Sequence, residues 1–261
     1  MKIELTGKNA LVGGSTQGIG LAIAQQLASC GAAVTLMARN EEKLRYTAEN
    51  LNRSKGQQHQ YLVVDFSDYE MMKSATTAFF KNNTIDILVN NTNGPKGGNV
   101  LEKNETDYQE AFQLLFQTHI HITKLAMEHM TQHEWGRIIN VASLTVKEPA
   151  PNLVLSNTMR TALMSWSKSL AQRVASDGIT VNSILTGLFD TERIRQLTGA
   201  EAEEQKISPA EALASRVRQI PAKRLGKPEE YGYLATFLAS DFAAYITGSE
   251  IPLDGGMMKG Y

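Results

Sequence analysis

One cysteine, Cys30, stands among the 261 residues. An intrachain disulfide is therefore impossible, which excludes a disulfide-stapled scaffold and makes a reducing compartment, the cytoplasm, the expected location. Long hydrophobic runs are missing too: none approaches the ~18 residues of a membrane span, and Met1–Lys8 has no signal-peptide core. Neither sign of charge dominates, because 26 Lys and Arg face 27 Asp and Glu for a net charge of −1. A nucleic-acid platform or a basic membrane-surface protein is not expected from that balance. There is no Ser/Gly-rich linker, internal repeat or low-complexity tract, so residues 1–261 are expected to form one domain. Hydrophobic residues at 42% and charged residues at 20% are too apolar for a disordered chain.

What is present is an alternation of short apolar runs and longer helical patterns. Strands are expected at Asn9–Gly13, Ala33–Ala38, Gln60–Asp65, Ile85–Asn90, Arg137–Ala142, Thr180–Ile184 and Glu250–Leu253. Helices are expected at Ile19–Ser29, Glu41–Lys55, Tyr69–Asn82, Thr106–His133, Leu153–Ser176 and Glu229–Ala239. Strands such as Ile87-Leu88-Val89 are apolar at successive positions, as strands covered on both faces must be. The pattern predicts a doubly wound α/β domain with a parallel sheet of about seven strands. Gly31 and Gly178 fall where helices should end, Thr106 and Gln109 have the spacing of a capping box, and Pro228 suits a first helical position. The polar stretch from Gly187 to about Ile220 follows the sixth strand, where a flap over a substrate is expected.

The first strand runs into Gly13-Gly14-Ser15-Thr16-Gln17-Gly18-Ile19-Gly20 and then a helix. Gly14, Gly18 and Gly20 leave room for a backbone to approach a pyrophosphate, and the helix N-terminus offers free N–H groups to it. A glycine turn between a strand and a helix is the signature of a Rossmann dinucleotide site. Ser15, Thr16 and Ile19 belong to the same turn and are taken with it as cofactor contacts. At the end of the second strand, Met37-Ala38-Arg39-Asn40 holds no acidic residue for a ribose 2′-hydroxyl. Arg39 suits a 2′-phosphate instead, so NADP(H) is expected in preference to NAD(H).

With these motifs in order, the chain resembles the short-chain dehydrogenase/reductase family over essentially its whole length. Its closest likeness is to the β-ketoacyl-acyl carrier protein reductase-like members. Asp65, beside Phe66, resembles the residue that contacts adenine. Asn90-Asn91-Thr92-Asn93-Gly94 stands where the family has Asn-Asn-Ala-Gly, which makes Asn90 and Thr92 expected cofactor contacts. Gly136-Arg137-Ile138-Ile139-Asn140-Val141-Ala142-Ser143 resembles the strand that carries the catalytic serine. Thr186-Gly187 stands for a Pro-Gly turn, with Gly187 expected at the cofactor, and Asp254-Gly255-Gly256 resembles the C-terminal signature.

The resemblance breaks at the chemistry. The family uses a Tyr as proton donor, a Lys four positions later, a Ser, and an Asn on the long helix. Ser143 matches the serine, but the other positions carry Ser156, Arg160 and Leu115. The segment Pro151–Asn157, with Leu155-Ser156-Asn157, resembles a divergent branch of the family. A serine hydroxyl is a far poorer acid than a tuned tyrosine, and an arginine keeps its proton. Arg160 nevertheless retains a charge for ribose hydroxyls or a developing oxyanion, and Ser143 with Ser156 could cradle a carbonyl oxygen. The catalytic set is therefore expected to be Ser143, Ser156 and Arg160. Arg160 is also counted as a cofactor contact, and no metal site is expected. His119 lies one turn after Leu115 as a candidate replacement acid, although helix histidines more often sit at an interface or surface. His129 and His133, spaced i and i+4, lack a third ligand and read as a solvated face. Cys30 reads as a small buried hydrophobe, and the Met71-Met72 and Met257-Met258 pairs as packing.

The resemblance implies an NADP(H)-dependent oxidoreductase acting on a carbonyl/alcohol pair, on a small molecule or an acyl thioester of the 3-oxoacyl type. The alternative is a degenerate reductase that binds nucleotide without turnover. A substrate that needs no tyrosine acid, such as an activated carbonyl or an enone, is a further alternative. A homodimer or homotetramer is expected through the long helix and the helix after Ser143, whose stripes include Phe112, Leu115, Phe116 and Leu163, Trp166, Leu170.

Overall fold

The computed structural model describes residues 2–260. Seven parallel strands form one sheet: β1 (Asn9–Gly13), β2 (Ala33–Ala38), β3 (Gln60–Val63), β4 (Ile87–Asn90), β5 (Gly136–Val141), β6 (Ile179–Thr186) and β7 (Glu250–Leu253). Their spatial order is β3-β2-β1-β4-β5-β6-β7. The order reverses between β1 and β4, and the crevice beyond the carboxyl ends of those strands is where an open sheet of this kind takes a ligand.

Helices α1 (Gly18–Ser29), α2 (Glu41–Asn50) and α3 (Tyr69–Phe80) follow the first three strands. The long fourth connection contains α4 (Glu105–Phe112), a π-helical turn at Gln113–Gln117, and α5 (Thr118–Gln132). After β5 comes α6 (Val154–Val174), and after β6 the pair α7 (Glu192–Gln205) and α8 (Pro209–Gln219), then α9 (Pro228–Ala239). Two apolar clusters explain why the strands lack polar alternation. One holds Val12, Ile23, Leu27, Leu36, Tyr231 and Leu238, uniting the sheet with α1 and α9. The other, with Leu11, Met72, Leu88, Ile122 and Val174, packs α3, α5 and α6 on the opposite face.

Several expectations need correction. The capping box is Asn104 with Asp107, not Thr106 with Gln109: the Asn104 side chain accepts from the Asp107 N–H at 3.1 Å, and Asp107 accepts from the Asn104 N–H at 3.0 Å. Helix α2 stops at Asn50 because Leu51 turns extended and buries its side chain. Gln57 then ties the returning loop to the Ala28 and Asn52 carbonyls. The polar 187–220 stretch, expected as a flap, is mainly two helices joined by a half-buried Arg216–Glu201 pair at 2.6 Å, a form that leaves the flap expectation standing. Within the supposed interface stripes, Leu115 and Leu163 are fully buried inside the protomer. Phe112 is exposed, and Trp166 is half-buried. His129 does not sit on a solvated face, since its Nε2 lies 3.3 Å from Asp86 and its ring stacks on exposed His133. Cys30 is half-buried against the first cluster. Met72 is buried, while Met71 is largely exposed.

A buried polar row crosses the carboxyl half of the sheet. Asn90 donates to Thr123 Oγ1 and to Asn140 Oδ1, and Asn140 donates to Ser167 and Ser183 at 3.0 and 3.2 Å. Removing one member leaves buried groups unpaired, each at a cost of ~1–3 kcal/mol. Asn140→Ala is expected to lower stability by about 2–4 kcal/mol, the lost side-chain volume included. Urea unfolding measures this, and a loss below about 1 kcal/mol would show that the row contributes little.

Candidate active site

The glycine turn closes against the end of β4. A Cβ on Gly20 would lie 2.2 Å from the Gly14 carbonyl oxygen and 2.8 Å from Asn91 Nδ2, so only glycine lets the helix start so close to the strand. Gly14 has a φ of +55°, which L side chains rarely adopt. Asn91 donates to the Gly13 carbonyl at 2.9 Å and clasps the turn from outside. No side chain caps the first turn of α1, and no acidic residue lies in it. Its N–H groups and the positive end of its dipole are therefore available to an anion.

The remaining expected contacts ring this turn. The Ser15 hydroxyl accepts from the Met37 N–H at 3.0 Å and the residue is fully buried, so its side chain serves β2. Thr16 and Ile19 are half-buried, with Ile19 leaning on the core. Arg39 is exposed at the end of β2. Beyond β3, Ser67 donates to Asp65 through its hydroxyl and its N–H, which holds the Asp65 carboxyl below its usual range; the Arg39 charge adds a smaller push. The Phe66 side chain is buried in the second cluster and leaves only its backbone to a ligand. Asn90 is spent inside the polar row, but Thr92 Oγ1, two residues on, is enclosed and has no partner. Gly187 admits the close pass of β7: a Cβ there would lie 2.6 Å from the Asp254 Cα. The uncapped helix, the Cβ-free turn and the orphaned Thr92 hydroxyl together fit a dinucleotide.

The positions expected to be catalytic gather at the carboxyl end of β5. Arg160, on α6, is 8% exposed. Its Nε donates to Ser156 Oγ at 3.2 Å and its Nη1 donates to the Val141 carbonyl, the last of β5. Two of its five N–H donors are thereby used and three remain. Ser143 accepts from the Thr145 N–H and hydroxyl at 3.2 and 3.0 Å, which leaves its own proton free. Ser156 likewise accepts from Arg160 and keeps its proton free. No hydrogen bond joins the two serines among the described residues, but each is a donor whose oxygen is already anchored.

His119 fills the space behind this group. Its Nδ1 donates to the Leu115 carbonyl at 2.6 Å, which fixes the tautomer and leaves Nε2 as a bare acceptor, enclosed and unpartnered. Burial, and next the Arg160 charge, push its pKa down to about 3. A neutral imidazole with no proton on Nε2 is not the replacement acid its position suggested. Thr118 donates through its hydroxyl to the Gln113 carbonyl at 2.8 Å, so two side chains satisfy carbonyls of the π-turn. That turn presses Leu115 onto Leu155 and Met159 of α6, beside Ser156 and Arg160.

Sequence reasoning named no role for Asn91, Thr145 or Thr191. The Ser-x-Thr spacing at 143–145 was a usable signal for a hydroxyl that turns back. Thr191 precedes α7, and its methyl lies 3.3 Å from where a Gly18 Cβ would be. A bridge between Gly98 and Leu153 draws the loop after β4 over to the start of α6. Two concavities, of about 210 and 280 Å³, lie beyond Gly187 and between α1 and Thr191; neither is lined by Ser143, Ser156 or Arg160. Among the described residues no group of three or more His, Cys, Asp or Glu could hold a metal, and no helix is long and apolar enough to cross a membrane.

Fold and site together define a dinucleotide-binding α/β protein with a serine–arginine centre at the end of its fifth strand. A family model described as enoyl-(acyl carrier protein) reductase matches residues 14–258. The chain is 32% identical to the 3-oxoacyl-[acyl-carrier-protein] reductase FabG of Aquifex aeolicus, over 98% of this chain and 100% of that protein. It is 33% identical to the NADPH-dependent reductase BacG of Bacillus subtilis, over 97% and 98%. The crystal structure of L-sorbose reductase from Gluconobacter frateurii, complexed with NADPH and L-sorbose, superposes with a TM-score of 0.93 at 30% identity over the whole of both chains. The chain belongs to the short-chain dehydrogenase/reductase family of oxidoreductases, as a 3-oxoacyl-acyl carrier protein reductase-like member.

The buried His119 makes stability depend on pH. Unfolded, it titrates near 6.5; folded, it resists protonation down to about 3. Its contribution is fully present above pH 6.5 and is lost as pH falls toward 3, at up to ~1.4 kcal/mol per pH unit. His119→Gln has no such titration. Urea midpoints between pH 7 and pH 4 are expected to fall more steeply for the wild type than for the variant, and parallel slopes would refute the assignment.

Proposed function

We propose that the chain is an NADP(H)-dependent oxidoreductase acting on a carbonyl/alcohol pair, with Ser143, Ser156 and Arg160 as its catalytic residues. The observation that carries this reading is the Arg160 guanidinium, tied to Ser156 and to the end of β5 with three N–H donors unused. NADP(H) would lie along the carboxyl edge of the sheet. Its pyrophosphate would meet Gly14, Thr16, Gly18, Ile19 and Gly20, its 2′-phosphate Arg39, and its adenine Asp65 and the Phe66 backbone. Thr92, Gly187 and Arg160 would stand toward the nicotinamide end. NADPH and NADP are named in the structures of related reductases, which supports the cofactor. When bound, the cofactor supplies or accepts a hydride. The chain's part is to hold the carbonyl oxygen between the Ser143 and Ser156 hydroxyls and to stabilise charge on it with Arg160; water supplies the proton. The substrate is a small molecule or an acyl thioester, and the α7–α8 pair serves as its flap. The expected setting is the cytoplasm.

A second reading is a reductase relative that binds nucleotide without turnover. It is favoured by the lack of a proton donor at Arg160, since His119 is neutral and the Tyr231 hydroxyl is engaged with Thr186. Calorimetric titration and stopped-flow NADPH consumption with keto-esters, quinones and acyl thioesters separate the two. Arg39→Ala is expected to weaken NADPH roughly ten- to hundredfold while sparing NADH. Ser156→Ala should slow turnover about tenfold or less, and Arg160→Ala should abolish it. Equal affinity of the wild type for NADPH and NADH would reject the cofactor assignment, and tight binding with no consumption would favour the second reading.

The same reading includes a homodimer or homotetramer through α4–α5 and α6, where exposed Phe112 and half-buried Trp166 remain for a partner copy. Light scattering at micromolar concentration should give a multiple of 28.7 kDa, and a particle of 28.7 kDa would exclude it.

A further inference from the structure

We infer that Arg160, as a fixed and uncompensated positive charge, makes the site select the reduced cofactor over the oxidised one, so that the protein works as a reductase. The inference rests on the reading above, in which Arg160 stands at the nicotinamide end of the cofactor. Both hydrogen-bond partners of Arg160, the Ser156 hydroxyl and the Val141 carbonyl, are neutral. No carboxylate pairs with it among the described residues. Two titratable groups face it, one from each side of the sheet. His119 on α5 is held neutral by burial and by Arg160 itself. Tyr231 on α9 is fully buried, shares a hydrogen bond with Thr186 at 3.0 Å, and is pushed further from ionising by that burial. Neither supplies a negative charge.

A tyrosine–lysine pair can redistribute a proton, but a serine–arginine pair cannot. The guanidinium keeps its proton across the working pH range, and serine does not ionise. The local charge is therefore +1 whatever is bound. The oxidised nicotinamide ring carries a positive charge, and the reduced ring carries none. Only the oxidised form brings a second positive charge to a largely desolvated guanidinium. Like charges several ångströms apart in a medium of effective dielectric near 20 repel by an amount equal to roughly ten- to hundredfold in a binding constant. By linkage, the same factor displaces the bound cofactor toward its reduced state and speeds release of the oxidised product.

The test is calorimetric titration of NADPH and NADP⁺ against the full chain without substrate, so that no turnover is read. The wild type is expected to bind NADPH at least tenfold more tightly than NADP⁺. Arg160→Lys keeps the charge and should keep most of that ratio. Arg160→Met removes the charge and should reduce the ratio toward unity. Since Arg160 also holds the Val141 carbonyl, a second variant guards against misfolding: Ser156→Asp leaves Arg160 in place, supplies a carboxylate four residues away on the same helix, and should also reduce the ratio. Affinities equal within twofold in the wild type would overturn the inference. So would a ratio that persists in Ser156→Asp, or in a folded Arg160→Met. If neither form binds, the cofactor reading fails instead.

Discussion

A single close approach underlies the carboxyl edge of this protein: the end of β4 against the turn between β1 and α1. Asn91 is the residue that makes it. Its carbonyl oxygen would lie 2.2 Å from a Cβ on Gly13, and its side-chain nitrogen 2.8 Å from a Cβ on either Gly14 or Gly20. Three glycines thus answer to one neighbour. If β4 stood further off, the turn could carry side chains, α1 would start further from the sheet, and its N–H groups would no longer open into the crevice where the strand order reverses. The anion site is therefore a result of strand packing, and the uncapped first turn of α1 is its chemical expression.

From that edge the polar row of Asn90, Asn140, Ser167 and Ser183 runs toward the second centre. Buried amides are stable only when fully paired, so the row fixes how β4, β5, β6 and α6 sit against one another. Arg160 projects from α6 onto the last carbonyl of β5, one residue beyond Asn140. Its location thus inherits the rigidity of the row. His119 and the π-turn do the same from α5. The turn displaces the helix enough to seat Leu115 among Leu155 and Met159, and the histidine ring satisfies the carbonyl next to that seat. A preorganised charge stabilises an oxyanion only if it does not relax when the charge develops, and these contacts restrain it.

Much of this was legible in the sequence. Strands covered on both faces show as unbroken apolar runs, so all seven were located, with errors at their ends. The resemblance to the family's catalytic segment also put Ser156 and Arg160 on the helix that follows Ser143. The failures have physical causes. Asn104 and Thr106 are both good capping residues, and the choice between them was made by the reciprocal Asp107 contact, which competing local preferences do not reveal. The π-turn has no sequence signature of its own, because it is stabilised by side chains of Thr118 and His119 that bond backwards. The burial of Leu115 and Leu163 was hidden because an apolar stripe on a helix looks the same whether it faces its own sheet or another molecule. Helices α7 and α8 are polar in composition and hold together partly through the Arg216–Glu201 pair, which a search for hydrophobic runs passes over.

In the proposed function, serine and arginine at the positions where the resemblance expects tyrosine and lysine would change the kind of catalysis the fold can offer. A tyrosine beside a lysine handles charge by moving a proton, and its efficiency depends on a pKa tuned toward the working pH. The centre here contains no group that titrates in that range: Arg160 stays charged, His119 stays neutral, and the two serines only donate. In the function proposed above, charge on a substrate oxygen would be met by electrostatics alone, and its neutralisation left to water. Such a centre suits carbonyl compounds whose oxyanion is weakly basic, because a strongly basic alkoxide would demand a proton from a residue that is not there. The same substitution that would weaken general acid catalysis keeps the local charge independent of pH, since the guanidinium holds its proton and no carboxylate pairs with it among the described residues.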